Sequence, residues 1–387
     1  MIEPGSTIGV LGGGQLGRMT GQVARTLGYG FVVYEPQSNC PAGHVADLEI
    51  NAPYSDELAL GRLADATDVV TYEFENVPVE ATRVLEEKVR LHPRPEILHI
   101  CQNREREKNF LRDNRIPCTP FAIVDSPEDL EAALSEIGRP SVLKTAAFGY
   151  DGKGQLKIRN EDTDIEQIWR HFGQHRAVLE GWMDFSMEIS VMVAANENGE
   201  VATFPVAENI HTNHILDYSI VPARISPELR QRAEALAKEI AKKMSLVGLL
   251  GVELFVLKDG TLAVNELAPR PHNSGHYTID ACVTSQFEQF VRGVCGLPLG
   301  STELFRPITM VNILGDAWTD RHPNFSAILE DSDAKLHLYG KAEARKGRKM
   351  GHFCVLGDSA DASYEKAKAF KAKLYAGSLI VPDVECS

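Results

Sequence analysis

The sequence predicts an α/β protein of several domains that opens with a Rossmann-like unit, and three stretches carry that expectation. The first is the short apolar run Thr7-Ile8-Gly9-Val10-Leu11, which leads into Gly12-Gly13-Gly14-Gln15-Leu16-Gly17-Arg18-Met19. The second is a glycine-spaced loop, Phe148-Gly149-Tyr150-Asp151-Gly152-Lys153-Gly154-Gln155, set between an apolar run ending in Lys144 and the strand-like Gln155-Leu156-Lys157-Ile158. The third is the segment from Gly251 to Glu266, where Asp259-Gly260 joins two apolar runs as a two-residue hairpin turn does.

Bulk properties bound the reading. A chain of 387 residues with 43% hydrophobic content can bury substantial cores, and its length points to two or three domains. A net charge of −14 argues against nucleic-acid binding, which needs a basic face against phosphates. Anionic ligands must therefore be held by local basic clusters. Seven cysteines stand singly at positions 40, 101, 118, 282, 295, 354 and 386, and read as reduced thiols of a cytoplasmic protein. No run approaches the roughly 18 apolar residues of a membrane span.

In chain order, the first glycine run is followed by a helix with apolar Met19, Val23, Ala24 and Leu27, then by the strand Phe31-Val32-Val33-Tyr34 ending at Glu35. This is a β-α-β opening, and Glu35 falls near the ribose-binding acid of a dinucleotide fold, about 20 residues on. An NAD site is thus one reading, and any phosphate at a helix N-terminus is another. The next strand, Asp68 to Tyr72, ends in Glu73-Phe74-Glu75-Asn76, polar groups where open α/β sheets bind ligands.

Two prolines around His92 mark a boundary near residue 100, and a charged helix runs from about Gln102 to Asn114. Ser126-Pro127-Glu128-Asp129 starts a further helix as N-cap, first helical residue and acidic third position, and Gly138 ends it. The strand from Pro140 to Lys144 then enters the second glycine loop. That loop lacks the Walker Gly-x-x-x-x-Gly-Lys-Ser/Thr pattern. It is expected to join antiparallel strands and fold over a polyphosphate, with Lys144 and Lys153 supplying charge. An ordinary hairpin loop is the alternative.

Ala177 to Met183 reads as a strand ending in a bend, where backbone groups can meet a flat base, and Glu188 to Val193 as a further strand. Ser226-Pro227 opens a long packing helix. Counting outward from Asp259-Gly260 pairs Lys258 with Thr261, Leu257 with Leu262 and, sixth, Glu253 with Glu266. Two carboxylates facing each other in an apolar hairpin repel, and a divalent cation would remove the repulsion. A turn one residue longer would make them diverge. His272 and His276 show His-x-x-x-His spacing, but Pro271 and Gly275 disfavour the helix zinc would need. Arg270 there suits a phosphate or carboxylate. Lys341 to Lys349 holds five basic residues, an anion site or a solvated loop.

Four motifs together resemble one family. Gly-Gly-Gly-Gln-Leu-Gly-Arg-Met at 12–19, Gly-Tyr-Asp-Gly-Lys-Gly-Gln at 149–155, Asn-Glu-Leu-Ala-Pro-Arg-Pro-His-Asn-Ser-Gly-His at 265–276 and Gly-Arg-Lys-Met-Gly-His at 347–352 look like the ATP-grasp enzymes of purine biosynthesis, closest to the N5-carboxyaminoimidazole ribonucleotide synthetases. Lys153 stands where some members carry arginine. The resemblance implies a Rossmann-like ribonucleotide-binding domain at 1–100, an ATP-grasp domain at 101–300 with a lid at about 118–182, and a C-terminal domain at 301–387. It implies ATP, bicarbonate and 5-aminoimidazole ribonucleotide as substrates, carboxyphosphate as intermediate, two Mg²⁺ ions, and a homodimer. By similarity Arg104, Lys144, Gly149, Tyr150, Asp151, Gly152, Lys153, Gly154, Gln155, Glu180, Gly181, Trp182, Met183, Glu188, His211, Asn265 and Glu266 surround ATP, and Glu253 and Glu266 hold the metal. Gln15, Leu16, Glu73, Tyr150, Asp151, Arg270, His272, Asn273, Lys341 and Arg348 map to the ribonucleotide, with Gln15, the first-loop glycine amides, Lys341 and Arg348 offered to its phosphate. Lys144, Asp151 and Arg270 are the catalytic candidates, with Asp151 or Glu73 orienting the amine. Another ATP-grasp carboxylate–amine ligase and an NAD-dependent oxidoreductase are the alternatives.

Overall fold

The computed structural model describes residues 1–147, 154–162, 164–173, 175–318 and 322–377, and the chain builds three sheets. The first is parallel: β1 (Thr7–Leu11), β2 (Gly30–Tyr34), β3 (Leu48–Ile50), β4 (Val69–Tyr72) and β5 (Arg90–Leu91), in the order β3-β2-β1-β4-β5. Strands covered on both faces need continuous apolar runs, and Ile8, Val33 and Val69 are wholly buried. Strand β3 has only three residues with Leu48 exposed, so no sequence signal marks it. Strand order reverses at β1, which places a crevice at the carboxyl ends of β1 and β4.

The second sheet is antiparallel: β6 (Phe121–Val124), β7 (Ser141–Thr145), β8 (Gln155–Ile158) and β9 (Ala177–Gly181), in the order β6-β9-β7-β8. The helix Pro127–Ile137 packs Leu130, Ala133 and Leu134 against it. Its start is as expected, with the Ser126 hydroxyl accepting from the Asp129 amide at 3.1 Å, and Gly138 at φ +87° ends it. Strands β7 and β8 pair antiparallel, Leu143 with Leu156 and Lys144 with Gln155, and so bracket the glycine loop. Residues 148–153 of that loop lie outside the described residues.

The third sheet joins β10 (Phe185–Ala195), β11 (Val201–Thr203), β12 (Ala207–Thr212), β13 (Ile215–Val221), β14 (Gly248–Leu257), β15 (Leu262–Ala268), β16 (Ile308–Leu314), β17 (Ala334–Leu338) and β18 (Lys349–Leu356). Its path is β15-β14-β10-β12-β13-β16-β18-β17, with β11 beside β10. The last three strands extend this same sheet past residue 300. The helix Pro227–Lys243 covers one face through Ala233, Ala237 and Ile240.

The β14–β15 hairpin differs from the outward count in an instructive way. Leu257 donates to Thr261 O at 2.9 Å and Gly260 to Leu257 O at 2.9 Å, so the loop is one residue longer than a two-residue turn. Val256 therefore pairs with Leu262 and Leu254 with Val264. The register then shifts, Asn265 is bulged, and Glu253 returns to face Glu266. Two deviations cancel, and the glutamates meet as expected. The bulge also breaks the alternation of sides: Val264 and Leu267 stay in the core while the consecutive Asn265 and Glu266 both line one cavity.

Candidate active site

Residues of the second and third sheets line a cavity of about 420 Å³, which brings together Lys144, Gln155, Trp182, Glu188, His211, Glu253, Asn265 and Glu266. Phe185 and Phe255 stack at 4.5 Å and 16° in its wall, an apolar platform of the size of a base. The expected backbone contacts at the β9 bend are partly taken. The amides of Gly181 and Trp182 donate to Pro120 O at 2.9 Å and Pro140 O at 3.1 Å, because the bend closes the sheet edge. The Met183 amide makes no main-chain hydrogen bond among the described residues.

Glu180 sits 2% exposed among three cations: Lys144 Nζ at 2.9 Å, Lys108 Nζ at 3.7 Å and Arg104 Nη1 at 3.8 Å. Burial alone would raise its carboxyl, but the three cations outweigh that and hold it at about 2. Burial lowers the Lys144 ammonium, with Glu180 opposing.

Glu253 stands between His272 Nε2 at 3.3 Å and Asn265 Nδ2 at 3.5 Å. Burial first, then the Glu266 charge, pushes its carboxyl up to about 7. Two hard oxygen ligands whose mutual repulsion raises one carboxyl suit a divalent cation. The Ser274 amide donates to His272 Nδ1 at 3.3 Å, so the neutral ring carries its proton on Nε2, the nitrogen that faces Glu253. Burial lowers the His272 pKa, which keeps the ring neutral. His276 lies in a buried cluster, its ring tilted 33° to that of His352 at 4.8 Å.

A second chamber of about 190 Å³ adjoins the first and is lined by Gln15, Leu16, Glu73, Phe74, Arg270, His272, Asn273 and Lys349. Here the first glycine loop departs from expectation. Glu35 accepts the Gly13 amide at 3.0 Å, and Glu73 accepts those of Gly14 and, at 2.7 Å, Gly17. Carboxylates therefore occupy the amides that a phosphate would use at this helix N-terminus. Burial raises the Glu73 carboxyl, and these amides pull it back. Of the other donors expected for a phosphate, Gln15 lines this chamber, while Lys341 and Arg348 are not among the residues lining either cavity. Lys341 Nζ donates to Lys349 O at 2.7 Å, and Arg348 Nη1 to Glu343 O at 2.9 Å. Arg270 is anchored by Glu75 and by Pro271 O at 3.0 Å.

Thus Arg104, Lys144, Gln155, Trp182, Glu188, His211, Glu253, Asn265 and Glu266 gather at the larger chamber, with Glu180 behind Lys144. Gln15, Leu16 and Glu73 line the smaller one, while Arg270, His272 and Asn273 line both. Gly154 lies at the start of β8, its carbonyl accepting the Thr145 amide at 2.9 Å. Gly149, Tyr150, Asp151, Gly152 and Lys153 lie outside the described residues. Sequence reasoning overlooked Phe185, Phe255, Lys108 and Lys349. Phe255 had a signal, two residues beyond Glu253 on the same strand face, and Lys349 lay inside a motif already singled out.

The fold and this site define an ATP-grasp ligase. The ATP-grasp domain family matches residues 109–287, the ribonucleotide synthetase preATP-grasp domain 5–102 and the phosphoribosylaminoimidazole carboxylase C-terminal domain 309–366. The N5-carboxyaminoimidazole ribonucleotide synthase of Bacillus subtilis (strain 168) is 48% identical over 360 residues, covering 92% of this chain and 93% of that one. The N5-carboxyaminoimidazole synthetase of Staphylococcus aureus, solved with ADP, superposes with a TM-score of 0.89 at 37% identity over 95% of this chain and 98% of that one. The Aspergillus clavatus enzyme, solved with ADP and 5-aminoimidazole ribonucleotide, gives 0.87 at 30% identity over 95% and 98%. The chain belongs to the N5-carboxyaminoimidazole ribonucleotide synthase family. ATP-grasp enzymes use ATP with a divalent metal, and among the described residues no helix is long and apolar enough to cross a membrane.

Proposed function

We propose that the two chambers carry out the family reaction: ATP and bicarbonate carboxylate the amine of 5-aminoimidazole ribonucleotide, giving N5-carboxyaminoimidazole ribonucleotide, ADP and phosphate. The observation that carries this is the shared wall. Arg270, His272, Asn273 and Lys349 line both cavities, so a phosphoryl donor in one and an amine in the other would meet across them.

The roles follow from the geometry. The base lies on Phe185 and Phe255, with Glu180 fixing Lys144 toward the phosphates. Arg104, Lys144 and Arg270 stabilise the transferring charge. Glu253 and Glu266 would hold Mg²⁺, which would supply positive charge to neutralise the transferring phosphoryl group. Glu73, fixed by two glycine amides, is an oriented acceptor for the ribonucleotide's amine or ribose. Asp151 and Lys153 keep the roles implied by the family, as does the 1–100, 101–300, 301–387 division with its lid. A cytoplasmic homodimer completes the reading.

The NAD-dependent alternative loses its main support, because Glu35 and Glu73 fill the glycine amides a pyrophosphate needs. The test is ADP release with ATP, Mg²⁺, bicarbonate and 5-aminoimidazole ribonucleotide, omitting each in turn. Turnover undiminished without the ribonucleotide would count against the assignment.

Lys341 makes the reaction pH-dependent. Burial, with Arg348 adding to it, lowers its ammonium to about 8. The empty site therefore loses this charge as pH rises through about 8, and the affinity for the ribonucleotide phosphate, full below that value, should fall above it. Lys341→Arg, which stays charged, should abolish the alkaline fall. A ribonucleotide dissociation constant constant with pH in the unmodified protein would exclude this role.

A further inference from the structure

Strand β18 and the short helix Thr278–Ala281 bring together metal-binding side chains that no step of the reaction uses. One ligand atom each of Asp280, His352 and Cys354 lie within 4.8 Å of one another, and none of the three residues lines either chamber. Alternation along β18 sends Phe353 and Val355 into one core with Phe370 and Leu374, and leaves His352 and the free thiol of Cys354 on the opposite face, with Ala281 and Cys282. The Tyr339 hydroxyl meets His352 Nδ1 at 2.9 Å. His352 Nε2 is wholly buried and has no hydrogen-bond partner among the described residues. Such a nitrogen is costly to bury, and a coordinated cation removes that cost. Asp280 Oδ2 accepts from His337 Nε2 at 2.8 Å. Partners of this kind, on the far side of an imidazole and on a carboxylate, are what orient metal ligands. His276 is a neighbour and not a ligand. Its Nδ1 accepts from Gln286 Nε2 at 3.1 Å, and Gln286 is oriented by its bonds to the His272 main chain, so His276 keeps its proton on Nε2.

We propose that a carboxylate oxygen of Asp280, His352 Nε2 and Cys354 Sγ bind one divalent transition-metal ion of the zinc class, with water as the fourth ligand. One oxygen, one nitrogen and one sulfur suit tetrahedral Zn²⁺ and not Mg²⁺, which takes oxygen ligands in octahedral geometry. The site is therefore chemically distinct from the Glu253–Glu266 pair. A carboxylate and a thiolate cancel the charge of a divalent ion, so the ion is buried without net charge. The thiol proton passes to solvent as the sulfur–metal bond forms, and Nδ1–H of the metal-bound ring donates to the Tyr339 hydroxyl. The way in lies past His337, 26% exposed on the edge strand β17. Once bound, the ion ties the helix that follows the His272–Asn273 wall to strand β18 of the C-terminal region.

The test uses the full chain, stripped of metal with a chelator and returned to saturating Mg²⁺, with Co²⁺ as the probe and Zn²⁺ as its competitor. Co²⁺ should give a thiolate-to-metal charge-transfer band, which a carboxylate site such as Glu253–Glu266 does not produce. One equivalent should saturate the band, Zn²⁺ should abolish it, and Zn²⁺ should raise the thermal midpoint. Cys354→Ala should lose the band and bind Zn²⁺ on the order of a hundredfold more weakly by calorimetry. Should Cys354→Ala fail to fold, Asp280→Asn keeps the thiol and the side-chain size and should still weaken Zn²⁺ binding at least about tenfold; an unchanged affinity there would overturn the site. A band that survives in Cys354→Ala would place the metal on another cysteine. The absence of any band in the unmodified protein would leave a hydrogen-bonded core without metal. Either result overturns the proposal.

Discussion

Glu266→Gln should lower kcat on the order of a thousandfold while leaving the fold intact. The change keeps size and hydrogen-bonding capacity but removes one of two opposed carboxylates, and about 4 kcal/mol of metal-borne charge stabilisation corresponds to that factor. Glu253→Gln adds a second readout. Its carboxyl is raised to about 7, above its unfolded value. A group raised in this way costs no stability below its unfolded pKa, progressively more as pH rises from there to about 7, and a constant amount above that. Without metal, the unmodified protein should therefore lose thermal stability as pH rises from mildly acidic to neutral, and Glu253→Gln should lose less. Adding Mg²⁺ should stabilise the unmodified protein and not the variant. Equal responses to Mg²⁺ would remove the metal role from this pair.

That pair shows how far a sequence can be read and where reading stops. Its members face each other as an outward count from Asp259-Gly260 proposes, yet the count was right only because a longer loop and a bulge at Asn265 offset one another. Turn identity and strand alternation are local properties; a bulge depends on what lies across the strand. The same division runs through the molecule. The Ser126 cap, the Gly138 stop, the β7–β8 bracket of the glycine loop and the packing stripe of Pro227–Lys243 all rest on residues close in sequence, and all are legible.

The fate of the first glycine loop was not legible. Gly-x-Gly-x-x-Gly describes a backbone that can crowd an anion, and says nothing about which anion arrives. Here Glu73, from the next strand but two, fills that place, and the helix N-terminus becomes a clamp for a side chain. Composition could not reveal it, because the burial of Glu73 follows from strand order. Lys349 was missed for a related reason. Within a run of five basic residues nothing distinguishes the one that begins β18 and reaches both chambers.

Lys108 is the residue on which these distant contacts converge, and its removal should have the largest effect on stability. It is wholly buried on the helix Arg104–Asp113, donates to Asn265 O at 3.2 Å and lies 3.7 Å from Glu180. Its neighbour Glu107 accepts the Leu267 amide at 3.0 Å. β15 is the edge strand of its sheet; on its open side the Val264 amide donates to Pro117 O at 2.8 Å, and the next groups, the Asn265 carbonyl and the Leu267 amide, are met by two consecutive side chains of one helix. Lys108→Ala leaves the Asn265 carbonyl unpaired, opens a cavity and removes one of the three cations around Glu180. Breaking a buried pair in this way costs about 3–5 kcal/mol. Lys108→Met refills the cavity and should recover part of that loss, but not the hydrogen bond that holds the bulge. Both variants should show lower denaturation midpoints and faster hydrogen exchange at Asn265 to Leu267, and catalysis should fall more than nucleotide affinity because Glu266 loses its aim. Unchanged exchange in β15 would mean that the bulge is held by the sheet alone and that Lys108 serves Glu180 only.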